Sequence, residues 1–468
     1  MNTGDLIWTD GAGGPQFSKN AKTAVNDSQL RRNVRKATTT ISERRAGLVA
    51  ETPDWQQLRQ SGAAIKDHVL NNLDAYLETF ERNATARGAH VHWARDATEA
   101  NRIVAELIQE TGQTEVIKVK SMATQEIGLV EALKTKGIIA RETDLAELIV
   151  QLAHDRPSHI VVPALHKNRA EIRRIFLDHM PDAPRDLSDD PQALAEAARV
   201  HLRRLFLTTK TAVSGANFAI AETGGLLIAE SEGNGRMCLT LPDTLISVVG
   251  IEKLIPTFKD LEVFLQLLPR SATGERMNPY SSIWTGVTSH DGPSNVHIVL
   301  LDNGRTNALA DPTGRQALRC IRCGACLNVC PVYERTGGHA YGATYPGPIG
   351  AILTPLMAGV EHASELPFAS SLCGACYEVC PVAIDIPTVL VKLRRDAVRA
   401  KPHKAQDAAF NAAAQAMNGR RRWTAALKAA KLVRLVRHAA PPPFSRWTRT
   451  RDLPEPPAEP FRSWWTKR

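Results

Sequence analysis

Apolar positions along the middle of the chain alternate between a helical period and a strand-like period. Apolar residues recur every three to four positions in three segments, which predicts amphipathic helices at residues 64–80, 97–108 and 127–134. Short runs rich in β-branched residues predict strands at residues 90–94, 116–120, 138–143, 159–163 and 295–304. Helices and strands in alternation are typical of βαβ units, so the sequence predicts an α/β domain with a mostly parallel sheet.

A hairpin pattern and a polar loop lie within the same region. Residues 215–230 predict two strands around a Thr-Gly-Gly turn, and residues 230–236 form a glycine-rich polar loop. Because loops at strand ends bind ligands in α/β sheets, one interpretation has Glu222, Asn234 and Arg236 lining a pocket for an anion or a carboxylate. The other interpretation is that these side chains cap turns and pair on the surface.

The segments on either side of this domain have different patterns. Residues 20–65 are charged and helical with few buried positions, which suits an arm that wraps a neighbour. After residue 395 the chain has alanine-rich helical character, then Pro441-Pro442-Pro443 and finally Trp464-Trp465, a pair expected to pack on a partner or on the protein itself. We therefore predict a helical arm, an α/β domain, a cysteine-rich module and a basic helical or extended tail, with bounds at residues 1–65, 66–305, 306–395 and 396–468.

Composition and charge limit the class of protein. The 468 residues are 43% hydrophobic, enough to bury the cores of two or three domains. Residues 1–6 lack the pattern of a secretory leader, and no apolar run is long enough to span a bilayer. Much of the net charge of +9 lies after residue 391 without a nucleic-acid-binding motif, which favours a solvated helix face or a dock for an acidic partner over nucleic acid. We expect a cytoplasmic protein whose membrane contact is at most peripheral.

Seven of the eight cysteines fall in two runs whose spacing is typical of iron ligands. Each run ends before a proline, and the first has the bacterial-ferredoxin pattern C-x2-C-x2-C-x3-C-P. The runs consist of Cys320, Cys323, Cys326 and Cys330 before Pro331, and of Cys373, Cys376 and Cys380 before Pro381. Thiolates at this spacing bind cubane [4Fe–4S] clusters, which carry single electrons, so the sequence predicts two clusters and an electron-transfer function.

The spacing also divides the cysteines into two ligand sets. Two-residue gaps bring three sulfurs onto one cluster, while the cysteine before proline reaches the other cluster. The predicted first set is Cys320, Cys323, Cys326 and Cys380, and the predicted second set is Cys330, Cys373 and Cys376. Ser370 stands where a fourth cysteine of the second set is expected. Three outcomes stay open: an oxygen donor such as Ser370 completes the cluster, the corner is lost to leave three irons, or one iron is open to solvent or substrate.

Other interpretations of these residues fit less well. A structural zinc ribbon needs two C-x2-C pairs, and disulfides are rare in a reducing compartment. Cys238 stands alone and is interpreted as a small buried hydrophobe. His339 lies between the two runs and is a candidate for the missing ligand, although a hydrogen-bonding role is favoured.

The order of these motifs resembles the lactate utilisation protein B family, also described as YkgF-type iron–sulfur electron-transport proteins. The resemblance is carried by the two cysteine runs together with residues 217–224 and 232–236 before them and residues 337–342 and 345–350 between them. It covers nearly the whole chain.

This resemblance implies more than the spacing does. It implies that the α/β domain is a lactate-utilisation domain, akin to ribose-phosphate isomerases and CoA transferases, followed by a helical dicluster ferredoxin-like module. It also implies two companions, a cysteine-rich iron–sulfur subunit and a second lactate-utilisation-domain protein, with which the chain oxidises L-lactate to pyruvate. Members bind one cluster through four cysteines and the other through three, so a residue such as Ser370 is expected.

Functions of different classes follow from these observations. The favoured one is an electron-transfer subunit of an L-lactate dehydrogenase complex, in which an open iron of the second cluster would chelate lactate. The alternative is a ligand-binding or isomerase-like α/β enzyme whose clusters are purely structural. A nucleic-acid protein is a third, supported only by the basic tail. No flavin or nicotinamide fingerprint and no catalytic base stand out in the sequence.

Overall fold

Ten strands form two sheets in the computed structural model, which describes residues 6–8, 14–288, 291–401, 404–429, 457 and 459–468. The strands are β1 (Ala89–Ala94), β2 (Glu115–Lys118), β3 (Ile139–Glu142), β4 (Thr211–Ser214), β5 (Phe218–Ile220), β6 (Gly225–Glu230), β7 (Thr244–Gly250), β8 (Leu254–Ile255), β9 (Tyr280–Trp284) and β10 (Asn295–Leu301). The chain divides into two compact units, residues 1–400 and 401–468.

The larger sheet is parallel throughout, in the order β1-β10-β7-β4-β2-β3. Its central strands β4 and β7 are buried at every position, which matches their nearly continuous apolar sequence. Such strands are typical of a parallel sheet covered on both faces. The predicted α/β fold with a parallel sheet is therefore confirmed.

The smaller sheet has the order β8-β5-β6-β9 and contains the predicted hairpin, in which β5 and β6 pair in antiparallel fashion. Gly224 in the hairpin turn has a φ of +66°, and a Cβ there would lie 2.3 Å from the backbone nitrogen of Ala84. Only glycine meets both conditions, so the Thr-Gly-Gly signal reflects a close approach of the turn to a helix.

Helices cover the larger sheet and make up most of the cysteine-rich region. They are α1 (Phe17–Ala24), α2 (Ser28–Ala50), α3 (Trp55–Asn71), α4 (Leu73–Ala86), α5 (Ala97–Glu110), α6 (Met122–Glu126), α7 (Leu129–Thr135), α8 (Leu145–Leu152), α9 (Arg169–His179), α10 (Pro191–Thr208), α11 (Asn234–Thr240), α12 (Leu261–Ala272), α13 (Arg305–Ala310), α14 (Ala325–Asn328), α15 (Pro331–Thr336), α16 (Gly347–Ala358), α17 (Ala375–Val379), α18 (Ile386–Ala400), α19 (Lys404–Met417), α20 (Arg420–Ala429) and α21 (Phe461–Trp465). Short 3₁₀ helices span Ile251–Lys253, Gly314–Arg319, His339–Tyr341 and Leu366–Phe368.

One predicted strand, at residues 159–163, is wrong. This segment is a turn in which Nδ1 of the buried His159 accepts the N–H groups of Val161 and Val162 at 3.0 and 3.1 Å. On the other side of the ring, Nε2 lies 3.1 Å from Oδ1 of Asn328 in α14. Burial lowers the pKa of His159 to about 4, so the ring is neutral and able to accept. The apolar run is thus used to contact the cysteine module instead of extending the sheet.

The N-terminal arm packs on its own chain. Helix α2 contacts α14 and α15, and Ser42 donates to the carbonyl of Asn328 at 3.2 Å. Arg45 donates to the carbonyl of Val379 at 2.8 Å, and Arg59 of α3 donates to that of Cys380 at the same distance. These polar side chains bind the cysteine module of the same molecule, and the expectation that the arm wraps a neighbour stays a prediction.

The predicted boundaries at residues 65/66, 305/306 and 395/396 fall inside α3, α13 and α18 respectively. The predicted helix at residues 64–80 is two helices that meet at Asn72. In the second unit, the predicted alanine-rich helices appear as α19 and α20, whereas the proline-rich stretch lies outside the described residues. Among the helices of the described chain, none is both long and apolar enough to cross a bilayer.

A buried network of charges joins the parallel sheet to the cysteine module. Arg305, at the start of α13, donates to the two oxygens of Glu126 at 2.7 and 3.2 Å and also pairs with Glu252. Arg322, from the first cysteine run, pairs with Glu252 at 3.0 Å, and Tyr345 donates its hydroxyl to Glu126. Burial opposes the ionisation of Glu252, but Arg305 and Arg322 outweigh it and hold its pKa well below the usual range. The carboxylate of Glu252 is therefore charged, and the network fixes residues from five chain segments to one another.

Arg305→Met should destabilise the first unit by about 3–5 kcal/mol, because Glu126 and Glu252 would stay buried without their shared cation. The control is Arg276→Met, whose ion pair with Glu51 is largely exposed and worth about 0–1 kcal/mol. Urea unfolding followed by far-UV circular dichroism measures both variants. Equal losses in the two variants would contradict the importance of the buried network.

Candidate metal centre

The two cysteine runs fold into matching turns. The residue before the second ligand position has a left-handed backbone in both, with φ of +62° at Arg322 and +57° at Leu372. A glycine with positive φ follows that position, Gly324 in one turn and Gly374 in the other, and α14 and α17 begin directly after them. Left-handed backbone is uncommon outside glycine, so its recurrence marks the two turns as copies of one structure.

Ser370 occupies in the second turn the position that Cys320 has in the first. Sγ of Cys320 accepts the N–H of Arg322 at 3.4 Å, and Oγ of Ser370 accepts the N–H of Leu372 at 3.1 Å. The Ser370 carbonyl in turn accepts a hydrogen bond of 2.7 Å from Arg394. The Ser370 hydroxyl therefore has the same local hydrogen-bond environment as the first thiol of the complete run.

The four cysteines of the predicted first set act on one another electrostatically. Burial raises the pKa of Cys323 to about 12, and the thiolates of Cys320 and Cys380 act in the same direction. Burial and the same neighbours raise the pKa of Cys326 well above its usual value. Buried thiols in such a group ionise at neutral pH only when a cation compensates their charge. The structure thus brings these four residues together in a place suited to a metal.

The three cysteines of the predicted second set also lie close together. Burial, Cys330 and Cys373 raise the pKa of Cys376 to about 12. Burial raises the pKa of Cys330, to which Cys373 makes a smaller contribution. The charge of Cys376 also raises the pKa of Cys326, so the two sets are neighbours. Cys330 and Cys376 are buried whereas Cys373 is exposed, so the second set reaches the surface.

Hydrogen-bond donors surround the sulfur atoms. The backbone N–H groups of Tyr333 and Ile384 lie 3.5 and 3.4 Å from Sγ of Cys330 and Cys380. Arg59 binds the carbonyl of Cys380, as described above. Donors to sulfur and nearby positive charge stabilise the negative charge that an iron–sulfur cluster carries. The donor set and its surroundings therefore fit such a cofactor.

A cavity of about 440 Å³ adjoins both the parallel sheet and the first cysteine turn. On the sheet side it is lined by Lys120 and Gly215, which follow β2 and β4, and by Gly250 at the end of β7. On the other side it is lined by Lys253 and Arg322. Burial lowers the pKa of Lys253 to about 8, and Arg322 acts in the same direction. The carboxyl ends of parallel strands are the usual ligand site of α/β sheets.

The polar residues first considered for an anion pocket are not all at this cavity. Asn234 is buried, lines the cavity and donates to Thr143 at 3.2 Å. Glu222 is exposed in the β5–β6 turn and accepts the N–H of Phe258, while Arg236 is exposed and lies over the ring of Tyr280. Glu222 and Arg236 thus behave as turn and surface residues.

His339 belongs to a separate polar group. Its Nε2 lies 2.7 Å from the carbonyl oxygen of Arg156, and its ring packs against His166. Asp155, His166 and His339 lie close enough to share a cation, but the ammonium of Lys167 is 2.6 Å from the Asp155 carboxylate and already supplies positive charge. The group is an ion-pair network in which His339 has the predicted hydrogen-bonding role.

Several residues around the cavity were not singled out in the sequence. Glu126, Glu252, Lys253 and Arg305 are far apart in sequence and belong to no motif, so the sequence carried no signal for them. Arg322 had one signal, because it lies inside the first cysteine run. Only the folded structure reveals its positive φ and its ion pair with Glu252.

Comparison with known proteins places these features in a family. Residues 77–301 match the model of the LUD domain, and residues 316–384 match that of the 4Fe-4S dicluster domain. The chain is 40% identical to lactate utilization protein B of Oceanobacillus iheyensis over 95% of this chain and 94% of that protein. It is 41% identical to the electron transport protein YkgF of Escherichia coli, over 96% of each chain, and 41% identical to lactate utilization protein B of Exiguobacterium sp., over 97% of each.

Cys323→Ser should lower the iron content of anaerobically purified protein to roughly half, because one of two four-iron clusters loses a thiolate that serine replaces poorly. The matched control is Cys238→Ser, since Cys238 is buried in the α/β domain beside Thr143, at 3.6 Å, and belongs to neither run. Iron analysis and the visible absorption spectrum measure both variants. Full iron content in Cys323→Ser, or a similar loss in Cys238→Ser, would contradict the assignment.

Proposed function

The chain belongs to the lactate utilisation protein B family, and from this premise we propose that it is an iron–sulfur electron-transfer subunit of a complex that oxidises L-lactate to pyruvate. The observation that carries the proposal is the convergence of seven thiols in two adjoining groups, of which the second reaches the surface at Cys373. Bound [4Fe–4S] clusters would supply one-electron transfer between these groups.

We assign the ligands as the spacing predicts. Cys320, Cys323, Cys326 and Cys380 hold the first cluster, and Cys330, Cys373 and Cys376 hold the second. We further propose that the Ser370 oxygen completes the second cluster, which is supported by its hydrogen bond from Leu372, the counterpart of the bond that Cys320 receives. Because the second turn has the same structure as the first, it holds the Ser370 oxygen where the first turn holds the thiol of Cys320.

The surroundings of the two sets suggest opposite roles. The first set adjoins the cavity through Arg322 and receives Arg45 and Arg59 from the arm, whose positive charges favour the more negative reduced state. The second set is bordered by Cys373 at the surface. We propose that electrons enter at the first set, beside the cavity, and leave at the second set, which reaches the surface.

An apolar patch beside the second set supports this direction. Phe368, Leu372 and Tyr377 are 50%, 38% and 44% exposed and come from the segments on either side of Cys373. Exposed apolar groups around a redox centre are typical of a docking surface for a partner. We propose that the partner is the companion cysteine-rich iron–sulfur subunit, with the second lactate-utilisation-domain protein completing the complex.

Further parts of the proposal concern the fold and the compartment. We assign the α/β domain to the ribose-phosphate isomerase and CoA transferase group and retain the four predicted segments as functional regions. Seven unpaired thiols acting as ligands suit a reducing cytoplasm. The alternative of an isomerase-like enzyme with structural clusters shares the cavity, but the direct contact of the first cysteine turn with that cavity favours a redox function.

Leu372→Asp should slow lactate-dependent electron transfer in the reconstituted complex on the order of tenfold, because a charge in the docking patch weakens binding of the companion subunit. Aspartate tolerates the positive φ of this position better than leucine does, so the turn should fold. The control is Val200→Asp, which changes an apolar residue on α10 that is 50% exposed and outside the patch. Reduction of an artificial acceptor, titrated with companion subunit, gives both rate and apparent affinity.

Two results would count against the proposal. A wild-type complex that contains its clusters but passes no electrons from lactate would overturn the function. Equal rates in wild type and Leu372→Asp, with clusters intact in both, would overturn the docking surface.

A further inference from the structure

The cavity beside the first cysteine turn has an excess of positive charge at one end. Lys253, Arg305 and Arg322 line it, and Arg305 and Arg322 pair with the carboxylate of Glu252. Three basic side chains thus face two buried carboxylates, since Glu126 is the other acid in this network. Buried charge is costly unless it is compensated, so this end of the cavity is suited to an anion.

Lys253 is the cation with most capacity to bind a ligand. Among the described residues, no oxygen lies within hydrogen-bond or ion-pair distance of its ammonium group, and its side chain lines the cavity. The other buried cations are engaged: Lys66 donates to the carbonyls of Glu252 and Leu254, and Arg305 is held by two carboxylates. Three donor positions of the Lys253 ammonium therefore remain for a bound molecule.

Arg322 adds a fixed positive charge at the same end. One terminal nitrogen binds Glu252 and the other binds the carbonyl of Cys320, while Nε is buried with no partner in the described part of the chain. Its guanidinium lies 4.7 Å from the ring centre of Tyr345, which holds it in place. Because Arg322 stands between Cys320 and Cys323, an anion bound here would lie beside the first ligand set.

The rest of the lining includes the carboxylates of Asp144, Glu230 and Glu232, of which Asp144 pairs with Lys120 and Glu230 accepts backbone N–H groups. Its apolar part suits a small organic acid better than inorganic phosphate. Val119, Met122, Ile160 and Leu268 supply apolar surface, and the amide oxygen of Asn278 is buried without a partner among the described residues, so it is free to accept from a hydroxyl group. Sites for small molecules usually combine an apolar lining with a few polar groups and measure about 300–1,000 Å³. This cavity has that composition and falls within that range.

We propose that this cavity binds a small 2-hydroxycarboxylate, or the corresponding 2-oxocarboxylate, with its carboxylate on Lys253 and Arg322. The inference rests on the proposed function for the choice of acid, and it differs from the hypothesis that an open iron of the second cluster chelates lactate. The second set is exposed at Cys373, whereas the cavity adjoins the first set. Substrate and docking partner would therefore use opposite ends of the electron path.

Isothermal titration of the anaerobically purified full-length chain with L-lactate tests the site. Lys253→Met keeps the length of the side chain but removes the charge, and should weaken lactate binding at least about tenfold, as expected for the loss of a charge-assisted contact. Lys259→Met is the matched control, because Lys259 is exposed, six residues away and outside the cavity lining. It should bind lactate as the wild type does.

A second measurement needs no variant. Lactamide has the shape of lactate without its charge, so wild-type protein should bind it at least about tenfold more weakly. Equal binding of lactate and lactamide, equal affinity in Lys253→Met, or no lactate binding to the wild type would each overturn the inference.

The two proposals fail in different ways. If lactate does not bind but dithionite still reduces the clusters in the same sample, the cavity assignment is wrong and the electron-transfer function stands. If lactate binds with the expected dependence on Lys253 but the protein holds no reducible cluster, the electron-transfer function is wrong and the binding site stands.

Discussion

The ion network of Arg305, Glu126, Glu252 and Arg322 is the constraint on which the site depends. It ties a helix after the parallel sheet, a 3₁₀ turn beyond β7 and the first cysteine run into one buried group. Replacing a whole buried ion pair by apolar residues often costs little stability. The role of such a network is therefore better explained by how it positions the chain segments it joins than by the stability it adds. Here it holds the first cysteine turn against the carboxyl edge of the sheet, where α/β proteins bind ligands.

This arrangement gives the two halves of the chain one function. The α/β domain supplies the cavity, the cysteine module supplies the thiols, and Arg322 belongs to both. The arm adds Arg45 and Arg59 on the outer side, so that cations surround the buried thiols from several directions. A negatively charged cofactor would be stabilised there, while the exposed second set remains accessible to a partner.

The sequence predicted what depends on local patterns. Alternating periods revealed β1, β2, β3 and β10, and glycine at position 224 revealed the hairpin. The turn at His159 was missed because its side chain caps the backbone and contacts Asn328, which lies 169 positions away. The polar loop at residues 230–236 pointed to one wall of the cavity through Asn234, but Lys253 was missed because it carries no motif. The cysteine spacing was informative because the ligands of one turn lie close together in sequence. The charged side chains that surround these cysteines come from distant parts of the chain.

The most direct test of the account is electron paramagnetic resonance of the anaerobically purified chain, as isolated and after reduction by dithionite. The account predicts two four-iron signals in the reduced protein that interact with each other, because the two thiol groups adjoin through Cys326 and Cys376. An oxidised three-iron signal would contradict the role assigned to Ser370. The absence of any iron signal would contradict the electron-transfer function itself.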